Sequence, residues 1–81
     1  MQEVDPDAVL GELLREARVR AGLTTEAAAI AARVSPRRIA GIEEGDGLLL
    51  VGDLLLLVRA YGLDLRRFIT VFERAFRDQR G

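Results

Sequence analysis

The sequence predicts an all-α fold, and three observations carry that prediction. Apolar residues recur at helical spacing along most of the chain; Asp5-Pro6 and Ser35-Pro36 open periodic segments; Gly22-Leu23 and Gly62-Leu63 mark where two segments end. Proline suits the first turn of a helix, where its missing N–H has no partner to lose. Glycine suits the residue just past a helix end, which turns left-handed and lets the next apolar side chain fold back.

Taken in order, Asp5 caps a first helix that begins at Pro6, carries Val9, Leu10, Leu13, Leu14 and Ala17 on one stripe, and stops at Gly22. Thr24 caps a second helix running to about Ala32. Only Arg33 and Val34 separate it from a third, which Ser35-Pro36 starts and Gly45 ends, so the middle of the chain reads helix, tight turn, helix. A fourth helix runs from about Val51 to Tyr61. A fifth follows Asp64 to about Gln79, with Leu65, Phe68, Ile69, Phe72 and Phe76 on one stripe. No repeat, linker or low-complexity tract divides the chain, so residues 1–81 read as one domain.

Composition narrows the chemistry. With 81 residues and 49% hydrophobic content, the chain can bury a modest core, and with no cysteine it cannot staple one by disulfides. The opening stretch from Met1 to Asp7 is polar and acidic, unlike a secretory signal. The most apolar stretch, residues 48–58, is interrupted by Gly52 and Asp53 and falls short of the ~20 residues that span a bilayer. A cytoplasmic location is the expectation.

Histidine, cysteine and lysine are absent, and Ser35 is the only serine. Ser-His and Cys-His pairs, Schiff-base lysines and His- or Cys-based metal sites therefore cannot be assembled. Paired carboxylates exist, but so small a helical domain offers little cleft in which to desolvate them. The expectation is a non-enzyme with no cofactor and no metal. The net charge of −1 opposes binding to nucleic acid. Yet all 12 basic residues are arginine, the better fork for phosphate and guanine, and where charge sits matters more than its sum.

The segments Leu10-Gly11-Glu12, Arg18, Gly22-Leu23-Thr24, Ala29, Val34-Ser35, Ile39, Ile42-Glu43-Glu44-Gly45 and residues 60–65 (AYGLDL) together resemble the Cro/C1-type, XRE-like helix-turn-helix family. The resemblance covers residues 10–69, without a gap. It implies a five-helix, phage-repressor-like domain, here with an extended C-terminal helix and its motif at about residues 24–45. It implies that the third helix, about residues 36–44, enters the major groove of double-stranded DNA. It also implies an ion pair between Arg18 and Glu43 that ties the first helix to the third.

The resemblance places Arg37 and Arg38 where relatives contact bases. Arginine forks match guanine, and with no asparagine in the chain and glutamine only at positions 2 and 79, the amide fork for adenine is missing from this helix. The same two arginines sit at the wrong end of the helix dipole, as do Glu43 and Glu44 at the other, which costs ~0.3–1 kcal/mol each and suits a helix tip that meets an acceptor-rich groove. Thr24, Thr25, Arg33 and Ser35 are the expected phosphate contacts. Thr25 replaces a common glutamine. Arg33 replaces the usual turn glycine, so it either takes a positive φ or the turn is reshaped.

Two departures bear on partners. The loop after the third helix, where relatives often carry Lys or Arg, is acidic and apolar: Glu44, Asp46, Leu48, Leu49 and Leu50. With Leu56, these leucines exceed what five helices bury from one side, and the expected use is a homodimer through Leu48, Leu49, Leu50, Leu56 and Phe72. For Leu50, completing the core is nearly as good a reading. Phe72 and Phe76 find their partners either on Val9 and Leu13 or across a dimer. Two functions follow: a dimeric, repressor-like regulator reading guanines in DNA, or a helix-turn-helix that has lost DNA binding and uses its leucine patch to bind another protein.

Overall fold

A computed structural model describes residues 4–80, Arg80 by its backbone alone. The first three residues of the polar opening segment, Gln2 among them, and Gly81 lie outside the described residues. Five helices follow one another: α1 (Pro6–Arg20), α2 (Thr25–Ala32), α3 (Pro36–Glu43), α4 (Val51–Ala60) and α5 (Leu65–Arg80). No strand occurs among the described residues. The fold is all-α, as the apolar spacing requires.

The starts follow from capping chemistry. Asp5 Oδ1 accepts the Asp7 amide, Thr24 Oγ1 the Ala27 amide, Ser35 Oγ the Arg38 amide and Asp64 Oδ1 the Arg66 amide, each at 3.0–3.2 Å. Only α4 begins without such a bond, because Leu50 stands at its cap position.

The ends share one device. In α1 to α4, a residue just past the helix end donates its amide five residues back: Leu23 to Arg18, Val34 to Ala29, Asp46 to Gly41 and Leu63 to Val58, at 2.9–3.2 Å. Each closure needs a left-handed residue just before it. Gly22, Gly45 and Gly62 supply three of these, and Arg33 supplies the fourth at φ 59°, ψ 40°. The helix-to-helix turn therefore keeps its shape and takes the strain of a side chain, about 1 kcal/mol.

The core is one cluster. Leu14 of α1, Ile39 of α3, and Leu57 and Val58 of α4 are fully buried, and Ala28, Ala29 and Ala32 let α2 lie close against α3 and α4. Each such Leu or Ile contributes roughly 1.5–3 kcal/mol by leaving water. Helix α5 closes the bundle through Phe68, packing on α1 and α4. Farther along α5, Phe72 and Phe76 are half-buried and lie tilted against each other, ring centres 6.4 Å apart.

Gly11 fixes the distance between α1 and α3. A Cβ there would collide with the carbonyl oxygens of Ile42 and Glu43, so the last turn of α3 rests directly on the backbone of α1.

Candidate functional site

Three anchors hold α3, and they determine which of its side chains reach solvent. The first is apolar: Ile39 and Ile42, at i and i+3, are buried on the inward face. The second is ionic. Arg18 grips Glu43 as a two-pronged fork, Nε to Oε2 at 2.7 Å and Nη2 to Oε1 at 3.0 Å, while its Nη1 donates to the Leu23 carbonyl at 2.9 Å. The side chains are only 13% and 9% exposed. Three charge-assisted donors on one guanidinium satisfy a charge that would otherwise be costly this close to the core. The hydrogen bonds that Arg18 donates to Glu43 hold its pKa above the ordinary value, against the opposing effect of burial.

Tyr61, the capping residue of α4, completes this corner. It is buried, and its hydroxyl is without a hydrogen-bond partner among the described residues. Burial first, and then the Glu43 carboxylate, pushes its pKa up to about 12, with Arg18 pulling the other way.

The third anchor involves a residue that the sequence reading put on the outward face. Arg38 is half-buried and turned toward α4: its Nε donates to Asp53 Oδ2 at 2.8 Å, and its Nη2 donates to the Leu48 carbonyl at 2.6 Å. Asp53 stands in the first turn of α4, where a carboxylate also suits the helix dipole. The two arginines at the start of α3 thus have different fates. Arg38 has a counter-ion, whereas Arg37 is exposed and has no ion pair or hydrogen bond with any described residue. The unfavourable polarity at this helix tip is left uncompensated at Arg37.

The outward face of α3 is therefore Arg37, Ala40 and Gly41, with Glu44 following. An open groove of about 580 Å³ runs along it, lined by Arg37, Ala40, Gly41, Glu44 and Asp46 among others. Asp46 comes from the loop, not the helix. Its amide donates to the Gly41 carbonyl at 3.1 Å, its Oδ1 accepts the Leu48 amide at 2.9 Å, and its Oδ2 occupies the space that a Cβ on Gly41 would need.

Around this face stand the other residues singled out from sequence. Arg33 is exposed at the turn, Thr25 is half-buried in the first turn of α2, and the Thr24 and Ser35 oxygens are engaged as caps. The leucines divide. Leu48 and Leu50 are 62% and 65% exposed and Leu56 is 42% exposed, whereas Leu49 is partly buried against the core. Phe72 is half-buried beside Phe76. Leu49, not Leu50, is the leucine of this loop that completes the core. Val51 and Leu55, at 79% and 36%, extend the exposed apolar surface along α4.

Sequence reasoning missed Asp53, Asp46 and Gly41. In the sequence Asp53 reads only as an interruption of an apolar stretch; an aspartate in the first turn of a helix with no polar cap is the available signal. Nothing in the sequence pairs Asp46 with Gly41. Among the described residues, no group of His, Cys, Asp and Glu is arranged to hold a metal ion, and no helix is long and apolar enough to cross a membrane.

The model of a helix-turn-helix domain family matches residues 9–68, from the first buried valine of α1 to the phenylalanine with which α5 closes the core. No curated protein sequence matches the chain.

Proposed function

We propose, on the premise that this chain belongs to the helix-turn-helix domain family and to its XRE/Cro-like group, that it is a DNA-binding transcriptional regulator of the repressor-like kind. The observation that carries the reading is Arg37: an exposed arginine without a counter-ion among the described residues, at the first turn of the second motif helix, beside the small residue Ala40. Small side chains let a helix approach base edges closely, and an arginine at the tip is the side chain that best reads guanine O6 and N7. Arg38 reads a second guanine only by giving up Asp53 and the Leu48 carbonyl.

Phosphate contacts fall to Arg33, to Thr24 and Thr25 at the start of α2, and to Ser35. The regulator acts as a homodimer, in the cytoplasm. The surface that supports a dimer is Leu48, Leu50 and Leu56 with the exposed Val51 and Leu55; Leu49 and Phe72 are both partly buried and contribute less. Two copies of α3 then enter successive major grooves ~34 Å apart.

Equilibrium binding to G·C-containing duplexes over a salt series tests this reading. Affinity that falls steeply as salt rises is expected, since counterions are released from each neutralised phosphate. Affinity indifferent to salt contradicts it. Light scattering of wild type and Leu50→Asp tests the dimer: a dimer that dissociates in the variant supports this patch, and a wild-type monomer contradicts it.

The same exposed leucines beside Glu44 and Asp46 favour a second reading, a domain that has lost DNA binding and holds another protein through this patch. A monomer without measurable DNA affinity selects it.

A further inference from the structure

We propose that Asp46 is a base-reading residue of this domain, accepting the N4 amino group of a cytosine, and that Arg38 is the positioning residue that holds it there. The inference rests on the DNA-binding reading above and goes beyond it by naming a second base and the group that selects it.

A circuit of hydrogen bonds joins the loop to α3. From α3, Arg38 Nη2 reaches the Leu48 carbonyl at 2.6 Å; the Leu48 amide reaches Asp46 Oδ1 at 2.9 Å; the Asp46 amide returns to the Gly41 carbonyl at 3.1 Å. Arg38 and Gly41 are three residues apart on one helix, so the loop is stitched to α3 at both ends of a single turn. The circuit fixes the Asp46 backbone and one carboxylate oxygen.

The other oxygen, Oδ2, takes no hydrogen bond from any described residue and lies over Gly41, filling the place of the missing Cβ. Position 41 of the outward face thus presents a carboxylate, delivered from the loop. It faces the same groove as Arg37.

A carboxylate only accepts hydrogen bonds, which decides its base. In the major groove guanine offers two acceptors, thymine an acceptor and a methyl, and adenine a donor beside the N7 acceptor. Cytosine alone offers an amino donor with no acceptor on the same base edge. Placed against any other base, Asp46 adds repulsion to that of the nearby phosphates. The acidic loop, which lowers overall affinity for DNA, becomes a filter for sequence.

The test is selection from a randomised duplex pool, followed by binding of wild type, Arg37→Ala, Asp46→Ala, Asp46→Asn and Arg38→Ala to the selected site. Wild type is expected to select a guanine that depends on Arg37 and a separate cytosine that depends on Asp46. Asp46→Ala should lower discrimination at the cytosine at least about fivefold and leave the guanine untouched. Asp46→Asn keeps an acceptor for the Leu48 amide but turns the exposed atom into an N–H donor, and should lose the cytosine preference in favour of guanine, which offers two acceptors. Placing N4-methylcytosine at that position should weaken wild type about fivefold or more and leave Asp46→Ala unchanged.

Arg38→Ala should lose the cytosine preference and keep the guanine, a pattern that a mere loss of stability does not produce. Cytosine preference that persists in Asp46→Ala, a uniform rise in affinity without any change in preference, or a guanine lost in Arg38→Ala overturns this inference and leaves the DNA-binding function standing. A wild type with no salt-sensitive DNA binding overturns both.

Discussion

The two ends of α3 are each held by an arginine gripping a carboxylate, and the comparison between them separates what keeps this molecule folded from what shapes its surface. At the C-terminal end, Arg18 and Glu43 are 13% and 9% exposed and sit against Tyr61 and the core. At the N-terminal end, Arg38 and Asp53 are 32% and 21% exposed, at the edge of an open groove. The contacts have similar lengths, 2.7 and 2.6 Å. Burial makes the difference. A buried pair that loses one partner leaves a charge without water, whereas a half-exposed pair leaves one that water largely recovers. The first joint holds the architecture together; the second holds a loop in register with a surface.

The largest effect expected is therefore at the first joint. Arg18→Ala should lower unfolding free energy by about 3 kcal/mol or more in denaturant titration, because Glu43 is left buried without its fork. Replacing both partners at once should cost less than the sum of the single losses. If Arg18→Ala unfolds no more easily than Arg38→Ala, the contrast between the joints is broken.

Gly11→Ala tests the same joint through its backbone contact. Helix propensity favours alanine by about 1 kcal/mol, but the Ile42 and Glu43 carbonyls stand where the methyl must go, so a net loss of about 1–3 kcal/mol is expected. A stabilised variant would show that α1 and α3 have room to separate.

Tyr61 sharpens the comparison by pH. Its hydroxyl ionises near pH 10 in an unfolded chain and near 12 in the folded one, so the folded state keeps its proton longer. Its contribution to stability is constant below pH 10 and is lost as pH rises from 10 to 12. Thermal melts over that range should fall more steeply for wild type than for Tyr61→Phe. Below pH 10, Tyr61→Phe should be as stable as wild type or about 1 kcal/mol more so, since it removes a buried hydroxyl without a partner.

At the second joint, Asp53→Ala should change stability by less than about 1 kcal/mol while releasing Arg38 and the loop. Hydrogen exchange at the Leu48 and Asp46 amides should then quicken, with the Ile39 and Ile42 amides unaffected. The smallest change belongs to Arg33→Gly. It relieves the positive φ at the turn, worth up to about 1 kcal/mol, against the extra freedom that glycine gives the unfolded chain.

The fold was legible where a local signal had a local cause. Asp5-Pro6, Ser35-Pro36, Gly22-Leu23 and Gly62-Leu63 mark helix ends because capping is decided within a few residues, and each end stands where those pairs put it. The surface was less legible. Arg37 and Arg38 are adjacent and identical in kind, and only the position of Asp53, 15 residues beyond Arg38, separates their fates. Leu49 and Leu50 differ in the same way: alternate leucines of one loop face opposite ways, and sequence composition does not say which. Gly41 reads as a poor helix residue until Asp46 is seen to occupy its side-chain space.

The central claim is that α3 displays one free arginine to DNA. Equilibrium binding of Arg37→Ala to a duplex selected by wild type tests it most directly, because the Arg37 side chain has no partner among the described residues and its loss should leave the melting temperature unchanged. The account predicts roughly tenfold or greater loss of affinity together with loss of one guanine preference. Undiminished affinity and an unchanged guanine preference in Arg37→Ala would contradict it.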